Sequence, residues 1–367
     1  MNKIIYLDNN STTEIYPTVF KEMQKAGYGN PSSTHLMGVD ARKNMDNSRA
    51  KLAKEIGAKP WEIIFTSGAS ESNNLVIFGL SKAYTNKKKI IISSFEHASI
   101  YESCKVLKNR GYEIVEIPVD NSGMLDLVKL EKEINSNTLV VSIIHGHNEL
   151  GVLQDIGKIG SICRKRGVLF HTDAVQSFGK EKIDVKTFGI DLLSTSGHKI
   201  GAPKGIGFLY IREGVKVEPL IYGGGQERGL RGGTENVLGI IGFSKALEIV
   251  KKVKWDKVGK MRDYFIRGLE NLGGKINGSK ERRLKGNVNV SFSGKDAEML
   301  VVNLSQKGIM CSTRSACSEV GVKESRILKM MGLNEKEING TLRFGLNEKI
   351  GKKEIDFVLK IINSSLG

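Results

Sequence analysis

The strongest constraint on the fold is a regular alternation of two sequence patterns over residues 63–211. Short apolar runs rich in Ile, Val and Leu alternate for the most part with helical patterns. The apolar runs are residues 63–66, 89–94, 113–119, 139–145, 168–173, 190–196 and 207–211, and the helical patterns include residues 71–83, 99–109, 125–134 and 156–166. This alternation predicts an α/β domain with a mainly parallel, seven-stranded sheet and helices on both faces.

The rest of the chain predicts a second, smaller domain. Strand patterns at residues 287–293, 310–311 and 342–346 combine with helical patterns at 296–306 and 353–364 into an α+β unit. We expect the N-terminal strand to fold back onto this unit. The chain therefore divides into a large domain, residues 14–253, and a small domain formed by residues 1–13 and 254–367.

The composition of the chain limits the classes of protein to which it can belong. Of the 367 residues 40% are hydrophobic and 26% are charged, and no apolar run approaches the ~20 residues that cross a bilayer. Residues 1–8 are too short and too soon acidic for a signal peptide, so we expect a cytoplasmic protein. The net charge is +16, but the basic clusters are scattered, so direct binding to nucleic acid is not expected. A basic nucleic-acid-binding protein is nevertheless the non-enzyme alternative.

One lysine is placed where a reactive amine would be. Lys199 lies in a polar, glycine-rich turn between the apolar runs 190–193 and 206–211. A shielded lysine amine near other polar groups can lose its proton and form a Schiff base with an aldehyde. The alternative for Lys199 taken alone is an ordinary surface lysine in a loop.

Polar side chains follow the other predicted strands. Asp173 ends one strand, where a buried carboxylate needs a partner such as the protonated nitrogen of a pyridine ring, and Gln176 lies one turn further on. His97 could stack on an aromatic cofactor, and Asn148 could donate to a ring hydroxyl. Residues 66–70 precede a helix whose N-terminus suits a phosphate, although this stretch could be only a helix cap.

These features together describe a site for pyridoxal 5′-phosphate (PLP). The combination is far more specific for PLP than any one of its members, which are a Schiff-base lysine, an acid for the ring nitrogen, a helix N-terminus for the phosphate and an aromatic side chain that stacks on the ring. A metal site is the alternative for His145 and His147, which are two residues apart. No nearby cysteine or acid completes such a site, so no metal is expected.

Nearly the whole chain also resembles the NifS/IscS-type cysteine desulfurases, PLP enzymes of fold-type I in the class V aminotransferase group. The motifs that carry the resemblance are YLDNNSTT at 6–13, GNPSSTH at 29–35, FTSGASESNN at 65–74, EHAS at 96–99, NELGVLQDI at 148–156, HTDAVQS at 171–177, SGHKIGAPKGIG at 196–207, GGGQERGLRGGTEN at 223–236 and STRSACS at 312–318.

The resemblance implies a role for each matching position. Lys199 would bind the cofactor as a Schiff base and act as a catalytic residue. Asp173 would pair with the ring nitrogen, and His97 would stack on the ring as a further catalytic residue. Asn148 and Gln176 would contact the ring hydroxyl, with Asn148 also near the substrate. The remaining ligands would be Arg343 for the substrate carboxylate and, for the phosphate, Ala69, Ser70, Ser196, His198 and Thr234 of the partner subunit in a homodimer.

Cys317 separates this family from other PLP enzymes. By resemblance, its thiolate would attack the sulfur of L-cysteine, keep that sulfur as a persulfide and leave L-alanine. The sulfur would pass to an acceptor protein, either an iron-sulfur scaffold or a tRNA-thiolation enzyme. The alternatives within enzymes are a selenocysteine lyase or another class V PLP enzyme, and the non-enzyme alternative becomes a nucleic-acid-binding protein with a vestigial PLP fold.

The chain departs from the family pattern in three places. Arg314 stands where the family usually has glycine. Cys311 lies six residues before Cys317 and could also receive sulfur, although a thiol of a strand is the favoured interpretation. The chain stops at Gly367 without the C-terminal extension that some relatives use to dock an iron-sulfur scaffold, which leaves the acceptor open.

Arg314 is expected to lower the pKa of Cys317, because a nearby cation favours the thiolate. A titration of the Cys317 thiol should therefore give a higher pKa in Arg314→Gly than in the wild type. An unchanged pKa in the variant would contradict this electrostatic role.

Overall fold

The computed structural model describes residues 4–313 and 326–366, and it confirms the predicted α/β class. Within those ranges the chain forms twelve strands and twelve α-helices. The strands are β1 (Ile5–Tyr6), β2 (Ile63–Thr66), β3 (Lys89–Ser93), β4 (Glu113–Ile117), β5 (Thr138–Ser142), β6 (Leu169–Asp173), β7 (Leu192–Ser196), β8 (Gly207–Ile211), β9 (Lys275–Ile276), β10 (Asn287–Ser291), β11 (Ile309–Met310) and β12 (Thr341–Gly345).

The helices are α1 (Pro17–Gln24), α2 (Leu36–Glu55), α3 (Ala69–Ala83), α4 (Ala98–Lys108), α5 (Leu127–Glu133), α6 (Ile156–Arg166), α7 (Val237–Val250), α8 (Trp255–Asn271), α9 (Ala297–Gln306), α10 (Arg326–Met330), α11 (Glu335–Asn339) and α12 (Lys352–Leu366). Six of them lie close to the helical patterns predicted above, namely α3, α4, α5, α6, α9 and α12, whereas α10 and α11 had no predicted counterpart. Capping explains why α6 matches its predicted bounds, since the Asp155 side chain accepts from the N–H of Lys158 at the helix start. In the described part of the chain, none of these helices is long and apolar enough to cross a membrane.

The large sheet has the strand order β2-β8-β7-β6-β5-β3-β4. Only β8 runs antiparallel to its neighbours β7 and β2 in this sheet, so the other six strands all end at one edge. The first residue of β8, Gly207, pairs with the last residues of β2 and β7, Thr66 and Ser196. A Cβ atom on Gly207 would lie 2.8 Å from the Cα of Gly68, so only glycine fits at this crowded edge.

Both faces of the large sheet are buried, which accounts for the continuous apolar runs in the sequence. On β3, Ile91 points into a core shared with α2, α6 and α7, whereas Ile90 and Ile92 point into a second core with α3 and α4. Side chains alternate between these two cores because successive residues of a strand face opposite sides.

A separate apolar core lies beneath the smaller sheet, and Phe265, Val288, Leu304 and Phe344 belong to it. There β10 pairs antiparallel with both β12 and β9. The N-terminal strand β1 folds back onto this part of the chain and pairs with β11. The exact domain boundaries at residues 13/14 and 253/254 stay a prediction.

One sequence expectation about the smaller sheet is wrong. Residues 310–311 were expected in the same sheet as residues 287–293 and 342–346, but β11 pairs with β1 in a parallel two-stranded sheet instead. β10 occupies one edge of β12 along five residue pairs. On β12, Gly345 and Arg343 each form a single bridge, to Asp8 and Ser312 respectively, which joins the two sheets without a continuous ladder.

Candidate active site

A cavity of about 400 Å³ opens at the edge where the six strands end. Ten of the residues expected at the site from the sequence line it: Ala69, Ser70, His97, Asn148, Asp173, Gln176, Ser196, His198, Lys199 and Arg343. Thr234 does not line the cavity and is exposed to solvent. Cys317 and Arg314 lie outside the described residues.

Lys199 reaches the cavity from a short 3-10 turn, Gly197–Ile200, that follows β7 directly. Its Nζ donates to the backbone carbonyls of Asn10, at 2.7 Å, and Ser11, at 2.6 Å. The same N-terminal segment is held in place by the N–H of Thr13, which donates to the carbonyl of His198 at 2.9 Å. The segment after β1 therefore forms one wall of the cavity and fixes the position of the lysine amine.

Asp173 ends β6 with its carboxylate buried, at 2% exposure. Its Oδ1 accepts from the N–H of Val175 at 3.0 Å, and its Oδ2 accepts from Nδ2 of Asn73 at 2.8 Å. A carboxylate has about four acceptor positions, so it can take a further N–H from the cavity. Beside it, Gln176 donates to the carbonyl of Asn10 at 2.9 Å, and its buried Oε1 has no partner among the described residues.

The start of α3 forms the other end of the cavity. Gly68 precedes the helix with φ +152° and ψ −179°, a conformation that is essentially restricted to glycine, and no side chain caps the helix. The N–H groups of the first helical turn have no partner within the helix, and the helix dipole adds positive potential there. Ala69, Ser70 and Ser196 surround this point, so it can hold an anion such as a phosphate.

His198 is neutral near pH 7, which decides how it can act on an anion. Burial lowers the pKa of its imidazole to about 4, and the positive charges of Lys199 and Lys204 add to the effect. Its Nδ1 lies 3.1 Å from the hydroxyl of Thr12. His198 can therefore offer a hydrogen bond to a phosphate.

Arg343 extends from β12 into the opposite side of the cavity and is almost fully buried. One of its terminal nitrogens donates to Asp8 Oδ1 at 3.0 Å and to the hydroxyl of Ser11 at 2.5 Å. The other lies 3.5 Å from the carbonyl of Asn148, and Nε has no partner among the described residues. The guanidinium is thus oriented by Asp8 and keeps donor capacity for a carboxylate.

His97 lies at the N-cap of α4 and lines the cavity beside Asp173. Its Nδ1 accepts from the backbone N–H of Ser99 at 3.1 Å and lies 2.8 Å from the Ser99 hydroxyl. Asn73 donates to that hydroxyl at 2.9 Å. Asn73 therefore contacts Asp173 directly and His97 through Ser99.

The sequence interpretation gave no role to Asn73, Ser99 or Asp8, although all three lie in the motifs quoted above. A signal for Asn73 was present, because it shares one face of α3 with the buried Val76 and Ile77 at helical spacing. A polar residue on an apolar face needs a hydrogen-bonding partner. No comparable signal marked Asp8, whose partner Arg343 is distant in sequence.

A buried polar pair joins the loops that carry His97 and Asn148. Glu96 Oε1 accepts from the N–H of Ile144 at 2.9 Å and from the Ser93 hydroxyl. Burial raises the pKa of the Glu96 carboxyl to about 8, and the charge of Asp173 adds to the shift, so the carboxyl is largely protonated at neutral pH. The loops after β3 and β5 are thereby held together at the cavity.

The two histidines considered as metal ligands are both buried. Burial lowers the pKa of His145 to about 4 and that of His147 to about 3. The Nδ1 of His147 is engaged by the backbone N–H groups of Glu149 and Leu150, and its ring stacks on Phe95 at 4.9 Å. Across residues 4–313 and 326–366, no three His, Cys, Asp or Glu side chains group as a metal site would require.

The three cysteines of the described ranges are poor nucleophiles. Burial raises the pKa of Cys104 and of Cys311 to about 12, and it raises the pKa of Cys163 as well. Nearby acids add to each shift, with Asp8 acting on Cys311. These thiols stay protonated at neutral pH, and the thiolate is the reactive form.

Comparison with known proteins agrees with this geometry. The family model for class-V aminotransferases matches residues 5–358. A cysteine desulfurase IscS from Dictyoglomus turgidum is 40% identical over 373 residues, which cover 99% of this chain and 94% of that protein. Among solved structures, a NifS-like protein superimposes with a TM-score of 0.93 at 37% identity, covering 99% of both chains. A structure described as SspA in complex with cysteine gives a TM-score of 0.84 at 35% identity, covering 93% of this chain and 98% of that one.

The chain belongs to the class-V aminotransferase family, in the group of IscS-type and NifS-like cysteine desulfurases. The cofactor of these enzymes is PLP, and the cavity fits it. Asp173 has acceptor capacity for a ring N–H, the open start of α3 suits the phosphate, and Lys199 supplies the amine. The buried Oε1 of Gln176 and Nδ2 of Asn10 have no partner within residues 4–313 and 326–366, and they are further polar atoms that a bound ligand could satisfy.

Proposed function

We propose that the protein is a cytoplasmic, PLP-dependent cysteine desulfurase that converts L-cysteine to L-alanine and carries the sulfur as a persulfide on Cys317. The observation that carries the proposal is the meeting of Lys199, Asp173 and Arg343 in one cavity. The first two are the groups that PLP needs, and the third is a buried guanidinium suited to the carboxylate of an amino acid.

Several residues of the cavity have a task in this proposal. The start of α3, Ser196 and His198 would bind the phosphate of PLP, and Asp173 would accept the ring N–H. When bound, PLP supplies an electron sink for the bonds around the Cα of the amino acid. Arg343 would hold the substrate carboxylate, and the Lys199 amine would take the α proton and return it later.

The sulfur-transfer step needs no external oxidant, because the electrons given up by the Cys317 sulfur reduce the substrate carbon. The Cys317 thiolate attacks the sulfur of the substrate, so an S–S bond forms as the Cβ–S bond breaks. The electron pair of the broken bond stays on Cβ, which is protonated and becomes the methyl group of alanine. The Cys317 sulfur is oxidised to a persulfide, the substrate carbon is reduced, and a thiol reductant or a sulfur-acceptor protein then removes the terminal sulfur.

The homodimer is part of the proposal, with Thr234 completing the phosphate site of the partner subunit. Residues 223–236 carry Thr234, and one buried and one partly buried ion pair anchor them to their own subunit. Both terminal nitrogens of Arg49 donate to the carboxylate of Glu227, at 2.7 and 2.8 Å. Arg231 donates to Glu71, at the start of α3, over 3.0 Å. Large apolar side chains are also exposed, as a second copy would require: Tyr222, which directly precedes this segment, is 71% accessible, and Tyr28 and Leu36 near the N-terminus are 89% and 84% accessible.

Sedimentation velocity should give the mass of two chains for the wild type, and Arg49→Met should shift the protein towards the monomer. Removing one partner of a buried ion pair costs about 3–5 kcal/mol, because the other charge stays buried without compensation. Lys275→Met is the matched control, since the Lys275 side chain in its pair with Glu337 is 62% exposed. A monomeric wild type would contradict the proposed dimer, and an Arg49→Met variant that dimerises as tightly as the control would contradict the role of residues 223–236 in it.

The enzymatic proposal is tested by anaerobic turnover of L-cysteine with a thiol reductant, with alanine and sulfide measured together. The wild type should form both in equal amounts, and Cys317→Ala should form neither, because the attacking thiolate is missing. Cys104→Ala is the control, since that thiol is buried and protonated.

Other outcomes of the turnover assay separate the alternatives. A yellow, PLP-loaded wild type that forms neither product would show that the substrate is a different one. Formation of sulfide and alanine by Cys317→Ala at the wild-type rate would contradict the persulfide step at this residue.

A further inference from the structure

One side chain of α3 connects the two groups expected to contact the cofactor ring. Asn73 is fully buried, and its Nδ2 lies 2.8 Å from Asp173 Oδ2 and 2.9 Å from the Ser99 hydroxyl. Ser99 in turn contacts the imidazole of His97. We propose that Asn73 is a positioning residue that holds Asp173 and, through Ser99, sets the His97 ring with its proton on Nε2.

The direction of each hydrogen bond in this chain is fixed by chemistry. A carboxylate can only accept, so the Asn73 atom that faces Asp173 is the amide nitrogen and not the oxygen. The second hydrogen of that nitrogen points to the Ser99 oxygen, which is therefore an acceptor there. The Ser99 hydroxyl hydrogen is then available to His97 Nδ1, at 2.8 Å.

A second donor acts on the same ring nitrogen. His97 is the N-cap of α4, and its Nδ1 accepts from the backbone N–H of Ser99 at 3.1 Å. This N–H belongs to the first turn of the helix and has no carbonyl partner within it. Two donors converge on Nδ1, so this nitrogen carries no hydrogen, and the proton of the neutral ring lies on Nε2.

The consequence is that a single helix, α3, contributes to the phosphate site and also positions Asp173 and His97. The start of α3 suits the phosphate, and Asn73, one turn further along, holds both the acceptor for the ring nitrogen and the support of His97. His97 is thereby prepared as a hydrogen-bond donor through Nε2 and not through Nδ1. The inference rests on the proposed function only for the identity of the ring.

A merely packing role for Asn73 is the competing explanation. Its amide oxygen Oδ1 is buried and has no partner among the described residues. An unsatisfied buried oxygen lowers stability, and an apolar side chain at this position would avoid that cost. The two bonds from Nδ2 are therefore the reason for an amide at this position.

The tautomer can be read from the ¹⁵N spectra of histidine-labelled apoprotein, which has six histidines, with His97→Gln used for assignment. In the wild type, His97 should show an unprotonated Nδ1 and a protonated Nε2. Asn73→Ala and Ser99→Ala should each shift the His97 Nδ1 signal, because the backbone N–H of Ser99 is the one fixed donor left to this nitrogen once the hydroxyl is lost or free to rotate. Asn74→Ala is the control on the same helix, and it should leave the His97 signals unchanged.

The PLP-loaded protein gives a second readout. Asn73→Ala should shift the pH midpoint of the visible absorbance, because Asp173 loses one of its two hydrogen bonds, whereas Ser99→Ala should shift it less. For L-cysteine turnover, Asn73→Ala should lower kcat about tenfold with KM unchanged, since Arg343 is not affected.

A protonated Nδ1 in the wild type would overturn the inference. So would an Asn73→Ala protein that is less heat-stable but unaltered in its His97 Nδ1 signal and in its absorbance profile. Apoprotein with the expected tautomer but no desulfurase activity in the loaded enzyme would support the coupling and contradict the proposed function, so the two failures are distinguishable.

Discussion

The site depends on the geometry of one sheet edge. Six strands end there, and β8 begins there between the last residues of β2 and β7. Parallel strands bring the residues that follow them to the same place, which is why side chains from residue 69 to residue 199 meet around one cavity. The close approach of Gly207 to Gly68 shows how tightly this edge is packed, since a single added carbon would not fit.

Each charged side chain of the cavity is held in position by hydrogen-bonding partners. Asp173 accepts from two donors, Arg343 is oriented by Asp8, and the Lys199 amine is held by two carbonyls of the N-terminal segment. Buried charges require such partners, because desolvation in the protein interior costs more than a single contact returns. The segment after β1 links these groups and connects the smaller sheet to the large one at the reaction site.

The sequence predicted the large sheet well because its signal is local. Each buried strand is a short apolar run, and polar residues such as Asp173 and His97 follow the strands that position them. Arg343 and the individual phosphate ligands, in contrast, were expected only from the resemblance to the family. Pairing between distant segments has no such local signal. The partnership of β1 with β11, the bond from Asp8 to Arg343 and the chain from Asp173 through Asn73 to His97 all depend on tertiary contacts. These were the features that only the structure supplied.

The most direct test of the account is to locate the lysine that binds PLP. Sodium borohydride makes the bond between lysine and PLP permanent, and peptide mapping then identifies the residue. The account predicts the label on Lys199 and its loss in Lys199→Ala. Two other amines are plausible competitors, because Lys204 also lines the cavity and burial lowers the pKa of Lys180 to about 8. A label on either of them in the wild type would contradict the assignment of the site.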